Sequence, residues 1–151
     1  MSKNAKLEAR LREDLERHIV ELQNLQAQYE ALKASFDALL SMLSEVKVVK
    51  EELKTLSQLN KGEKILIPLG NRVFIKAEIV DPTKTLFNLG GGVYAILKPK
   101  EAGEKLTEYE KDLSENLNRV QKELTETARK IAIIQNAIRR LQEKIEKKQK
   151  K

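Results

Sequence analysis

The chain has 151 residues, a net charge of +6 and 34% charged side chains, with 4% aromatic residues and no Trp. Its lack of Cys excludes disulfides, thiol catalysis and Cys-based metal sites, which suits a reducing compartment. No stretch reaches the ~18 apolar residues of a membrane span, and MSKNAKLEARLREDLERH lacks the apolar core of a secretion signal; the expectation is a cytoplasmic protein with no membrane partner.

All six glycines and all three prolines fall between Gly62 and Gly103. These residues break helices and make turns, so the flanks are expected to be uninterrupted helix. Residues 1–60 are expected to form an N-terminal coiled-coil helix, residues 61–100 a double β-hairpin oligomerisation segment, and residues 101–151 a C-terminal coiled-coil helix. Together they make one α+β domain: a long antiparallel two-helix coiled coil joined by two β-hairpins. The hairpins would contribute to an oligomeric β-barrel body.

The first helical segment carries a seam at alternating steps of four and three, apolar at ten of eleven positions: Leu11, Leu15, His18, Leu22, Leu25, Tyr29, Leu32, Phe36, Leu39, Leu43 and Val46. The pattern then slips to Val49, Leu53 and Leu56. Such a stripe is a coiled-coil seam. It is too narrow to enclose a core and can only zip to a matching helix. His18 is the only histidine. Without Cys, a second His or a helical carboxylate pair beside it, it is expected to be a polar seam residue rather than a metal ligand or general base.

In the middle segment, Lys64 to Leu69 is a nearly continuous apolar strand. Gly70-Asn71 has the character of a two-residue type II′ turn. Arg72 to Val80 alternates, with Val73, Ile75, Ala77 and Ile79 on one face and Phe74, Lys76, Glu78 and Val80 on the other. Asp81-Pro82-Thr83-Lys84 is a second turn. Thr85 to Leu89 is a third strand, and Gly90-Gly91-Gly92 turns into a fourth, Val93 to Leu97. Four short strands make a small sheet with open edges, which invite pairing with another chain. Oligomerisation is therefore expected through Ile65, Ile67, Leu69, Val73, Ile75, Ile79, Leu86, Phe87, Leu89 and Val93. The three glycines lack the Lys-Ser/Thr of a phosphate-binding loop, and a strand rather than a helix follows them. No nucleotide, metal or other cofactor is expected, and no catalytic constellation stands out, so the protein is not expected to be an enzyme.

The second helical segment repeats the seam at Leu113, Leu117, Val120, Leu124, Thr127, Ile131, Ile134, Ile138, Leu141 and Ile145. Thr127 is a polar interruption of the kind that sets register. If the middle segment reverses the chain, the two seams zip antiparallel; pairing of each helix with other chains is the open alternative. Residues 1–60 carry 9 basic and 10 acidic side chains, residues 61–100 carry 7 and 3, and residues 101–151 carry 13 and 10. Positive charge thus collects in the middle segment and in the lysine-rich end, Lys144, Lys147, Lys148, Lys150 and Lys151. No basic stripe runs along the helices, which argues against nucleic acid as a partner.

The order helix, two hairpins, helix resembles prefoldin alpha subunits, especially the archaeal form. Ile-Leu-Ile-Pro-Leu-Gly (65–70) followed by Val-Phe-Ile-Lys-Ala-Glu-Ile (73–79) is similar to the family's first hairpin. Leu-Phe-Asn-Leu-Gly-Gly-Gly-Val-Tyr-Ala (86–95) is similar to its second, and two hairpins mark the alpha class. Asn71-Arg72 departs from the small residues common there. The resemblance implies a heterohexamer of two alpha and four beta subunits, with coiled coils projecting from a double β-barrel body. It also implies ATP-independent binding of unfolded client proteins and their transfer to a group II chaperonin. Client contact at coiled-coil tips would then fall to Leu7, Leu11, Leu15 and Ile19 with Ile133, Ile138, Leu141 and Ile145, and Val20 would widen that stripe. The competing expectation is a prefoldin-like structural subunit that forms filaments or scaffolds.

Overall fold

Helix-forming sequence on either side of a turn-rich centre gives the order α1 (Lys3–Leu56), β1 (Lys64–Pro68), β2 (Phe74–Glu78), β3 (Thr85–Gly90), β4 (Val93–Leu97) and α2 (Pro99–Gln149) in a computed structural model. The structure describes residues 2–150. The chain divides into two compact units: a terminal unit of Met1–Leu39 and Asn116–Lys151, and a hairpin unit of Leu40–Glu115.

The helix ends are capped by local chemistry. Ser2 precedes α1, and its Oγ accepts from the Ala5 amide at 3.3 Å. Pro99 opens α2, where a missing amide hydrogen costs nothing. The Lys98 amide donates to the Glu101 carboxylate at 3.2 Å, so the carboxylate reaches back over the first turn. Gly103 therefore lies inside α2; the glycine- and proline-rich window overstates the break between helices at its C-terminal end, because Pro99 starts a helix as readily as it stops one.

Burial follows the seams. Every predicted seam residue of both helices is buried or half-buried. In the hairpin unit the best-covered apolar side chains are Val46, Ala102 and Leu113. The α2 seam thus begins earlier than the apolar spacing suggested, at Ala102 and Leu106. Lys50 Nζ donates to Glu110 Oε2 at 3.0 Å, with both side chains about a quarter exposed (27% and 26%). This pair joins the end of α1 to the start of α2 and fixes an antiparallel register, which sets Val46 against Leu113 and Leu53 against Leu106. In the terminal unit Val120 and Thr127 are the buried positions.

The four strands form two separate two-stranded sheets, β1-β2 and β3-β4, and not the single small sheet expected. The first hairpin also differs at its turn. Pro68 pairs with Phe74, and the Leu69 amide donates to the Val73 carbonyl at 2.8 Å, leaving Gly70, Asn71 and Arg72 as a three-residue loop. A two-residue turn would have set Ile67 against Phe74 and Ile65 against Lys76. The extra loop residue shifts the register by one and puts Ile65, Ile67, Leu69, Val73, Ile75 and Ala77 on one face. Gathering the apolar side chains outweighs the local turn preference of Gly-Asn.

In the second hairpin, Gly91 and Gly92 have φ of 59° and 77°, as a two-residue type I′ turn requires. A bulge follows Asn88, whose Oδ1 accepts from the Gly90 amide at 2.8 Å. Between the hairpins, Asp81 Oδ1 accepts from the Thr83 amide at 2.9 Å and from its hydroxyl at 2.6 Å. Those bonds, the side-chain one first, hold the Asp81 carboxyl below the usual carboxylate range.

Candidate protein-binding surfaces

Each hairpin leaves apolar surface open. In the first, Leu66, Leu69, Val73 and Phe74 are all more than half exposed. In the second, Thr85, Phe87, Ala95 and Leu97 share a half-covered face, while Leu86, Tyr94 and Ile96 on the opposite face are open. Contiguous apolar surface of this kind on a two-stranded ribbon is an interaction surface. The predicted oligomerisation residues divide accordingly. Ile67, Leu69, Val73, Ile75, Leu86, Leu89 and Val93 are exposed, whereas Ile65, Ile79 and Phe87 are half-buried. Sequence reasoning missed Leu66, Phe74, Val80, Tyr94 and Ile96, all exposed. Period-2 alternation contains the signal: Leu66 and Phe74 lie on the face of the first ribbon opposite the predicted row, and Tyr94 and Ile96 share the face of Leu86 in the second.

Still within the hairpin unit, β3 and the facing parts of both helices line a groove of about 720 Å³. Val49, Leu53, Leu86, Phe87, Ala102 and Leu106 supply its apolar wall. Lys105, Glu108 and Asp112 stand along it. The groove's apolar wall suits further apolar side chains.

In the terminal unit the predicted client-contact residues fall into two sets. Leu11, Leu15, Ile138, Leu141 and Ile145 are half-buried seam residues. Leu7, Ile19 and Ile133 lie outside the seam and are 45%, 38% and 60% exposed, and Val20 is likewise open. His18 sits in the seam, and its Nδ1 lies 2.6 Å from the Asp14 carbonyl oxygen. A carbonyl only accepts, so this nitrogen carries the proton and donates. Among the described residues, no cluster of three or more His, Asp or Glu could hold a metal ion. Among the described residues no helix is long and apolar enough to cross a membrane.

The family model for Prefoldin subunit matches residues 25–144, a span that takes in both hairpins and most of both helices. The chain belongs to the prefoldin family. Relatives similar to it include prefoldin alpha subunits. Prefoldin subunit alpha of Methanopyrus kandleri is 30% identical over 119 residues, covering 79% of this chain and 76% of the relative. Prefoldin subunit alpha of Pyrococcus horikoshii is 29% identical over 132 residues, covering 87% and 89%. The fold also matches a chain in a cryo-EM structure of filamentous PFD from Methanocaldococcus jannaschii, with a TM-score of 0.65 and 22% identity over 75% of this chain and 93% of that one. The two hairpins and the paired seams are therefore prefoldin architecture, and this prefoldin resembles the alpha type.

Proposed function

We propose that this chain is the alpha-type subunit of a cytoplasmic, hetero-oligomeric prefoldin. It holds non-native proteins without ATP and passes them to a group II chaperonin, performing no chemistry of its own. Beta-type subunits complete its hairpins in a hexamer of two alpha and four beta chains. The observation that carries this reading is the exposure of Leu7, Ile19, Val20 and Ile133 in a unit whose seam is otherwise closed. Each such side chain contributes at most about 1.5–3 kcal/mol when buried against a client. Contacts that weak hold a client only when several subunits engage it together, and they release it readily.

The test is suppression of aggregation of a denatured protein by the assembled oligomer, with residues 1–20 and 133–151 removed from this chain. Suppression is expected to fall while the oligomer persists in sedimentation. Undiminished suppression by an intact oligomer refutes the assignment of client contact to these ends.

A second reading has its own support, since the matched Methanocaldococcus jannaschii chain comes from a filamentous assembly. The same open ribbons would let this chain grow into filaments or scaffolds. Sizing separates the two: a closed oligomer that forms only with a beta-type partner supports the chaperone, and open-ended growth of this chain alone supports the scaffold.

A further inference from the structure

Charge is unevenly spread along α2. Residues 101–151 carry 13 basic and 10 acidic side chains, but six of those ten carboxylates precede Asn116. Within the terminal unit, the stretch from Thr127 to Gln142 holds Arg129, Lys130, Arg139 and Arg140 and no Asp or Glu. Ile133 stands in the middle of that stretch and is 60% exposed. At 3.6 residues per turn, Lys122, Arg129, Arg140, Lys144 and Lys147 fall within about 40° of Ile133 around the helix axis. All five are exposed. The expected absence of a basic stripe therefore does not hold for this half of α2. Counting charge along the chain hides what helical spacing collects on one face.

Those cations are not neutralised within the chain. Among the described residues the ion pairs of α2 are Lys50–Glu110 and Arg119–Glu123, and none of the five cations takes part. Glu126 shares their face beyond Asn116 and makes no ion pair with them. A helix dipole favours cations only in its last turn, and of the five only Lys147 lies there. Ile133 is not a seam residue either, since Ile131 and Ile134 take those positions and are half-buried.

We propose that this face of α2 selects acidic segments among non-native chains: an apolar side chain of the client seats on Ile133, and Asp or Glu beside it meets Arg129, Lys130 and Arg140. This rests on the chaperone reading and adds to it a class of client. Arg129 and Arg140 are about 16 Å apart along the helix, the reach of about five extended residues. A segment seated on Ile133 thus lies within about one screening length of each cation, ~10 Å at 0.1 M salt. Carboxylates there are attracted and lysines repelled, so charge sorts clients that apolar contact alone would hold equally. Nucleic acid fits this face less well. Ile133 gains nothing against a phosphate backbone, and no aromatic residue follows Tyr109 to stack a base.

The experiment titrates the assembled oligomer of this chain and a beta-type partner into labelled, unstructured peptides, read by fluorescence anisotropy. Three peptides share the same leucines and carry Glu, Gln or Lys beside them. At about 50 mM salt the Glu peptide is expected to bind about tenfold more tightly than the Lys peptide, and the difference is expected to shrink at about 0.5 M. Arg129→Gln with Lys130→Gln and Arg140→Gln is expected to remove most of that difference and leave the affinity for the Gln peptide unchanged. Ile133→Ser is expected to weaken the Glu and Gln peptides alike. The control, Lys148→Gln with Lys150→Gln, is expected to keep the difference. Equal binding of the Glu and Lys peptides overturns the proposal, as does a preference that survives the triple substitution or is lost in the control. Duplex DNA bound more tightly than the Glu peptide also overturns it and assigns the cations to phosphate. In each of these cases the chaperone reading stands if the Gln peptide is held and aggregation is suppressed. Failure to bind any peptide, with no suppression, overturns both. Should the triple variant lose its helical circular dichroism, the native chain decides, because a preference undiminished at about 0.5 M salt is not electrostatic and overturns the proposal.

Discussion

The antiparallel register rests on the pairing of Lys50 with Glu110, and the pair Val46/Leu113 tests it energetically. Leu113 is 4% exposed and Val46 is 7% exposed, the tightest apolar burial opposite one another in the hairpin unit. Leu113→Ala removes three methylene equivalents at about 0.8 kcal/mol each, roughly 2.4 kcal/mol. The space left behind adds a further cost in a rigid core. A two-helix seam closes or admits water more easily than a core does, so a total of about 2–3 kcal/mol is expected. Val46→Ala removes two and costs about 1.6 kcal/mol by the same count. At about 2–4 °C per kcal/mol for a chain of this size, Leu113→Ala lowers the melting temperature by about 4–12 °C. Melting must be followed at fixed protein concentration, since assembly contributes to stability. The double mutant decides the register. If the two side chains touch, the second deletion costs about 0.5–1.5 kcal/mol less in the presence of the first. Additivity within about 0.3 kcal/mol would show that they do not meet and would refute the register.

Three further outcomes are expected. Gly91→Val meets no neighbouring atom but forces a β-branched residue to φ of 59°; it should destabilise the second hairpin by about 1–3 kcal/mol, seen as lost amide-exchange protection in β3 and β4 with helical content retained. Leu7→Ser, Ile19→Ser and Ile133→Ser together replace exposed side chains outside the seam, so the melting temperature should stay within about 2 °C while aggregation suppression drops; Leu15→Ser with Leu141→Ser should instead lower the melting temperature. The Asp81 turn depends on an ionised carboxylate whose folded pKa is lowered, so its stabilisation is present above the ordinary aspartate range and is lost as pH falls through the lower folded value. Exchange protection of the Thr83 amide should accordingly persist below the ordinary aspartate value of about 3.9, disappear only as pH falls through the lower folded value, and be absent throughout in Asp81→Ala.

The parts of this fold visible in the sequence are those that repeat. A seam of two dozen positions averages over local irregularity, and His18 and Thr127 sit where the spacing put them despite their polarity. Hairpin existence was legible for a similar reason: glycines and Asp81-Pro82 punctuate alternating apolar runs. Register was not, because a single turn contains too few residues to average. Gly70-Asn71 favours a two-residue loop by itself, and only the tertiary gain of aligning Ile65, Ile67 and Leu69 with Val73 and Ile75 adds Arg72 to it. The same limit hid the Lys50–Glu110 pair, since charges at helical spacing are everywhere in this chain and only the fold selects two of them. Among the surface residues, Ile19 and Ile133 were named beside the seam, but the spacing could not say which named positions stay open and which finish the coiled coil.

The exposure pattern also explains why the hairpins and the helices answer different needs. A two-stranded ribbon is marginal by itself, and here Leu66, Leu86 and Ile96 remain 63%, 70% and 69% exposed. No described residue covers them, so on the proposed assembly the stability of residues 64–97 rises with the concentration of the subunits that join there. The seams need no such help, because their apolar positions are already shielded by the opposing helix. Function divides along the same line. On the proposed chaperone function, the residues offered to many clients are single exposed side chains beside a closed seam, where each loses little by staying in water. Residues that must find one partner form continuous ribbon faces, where leaving water together gives a large and specific gain.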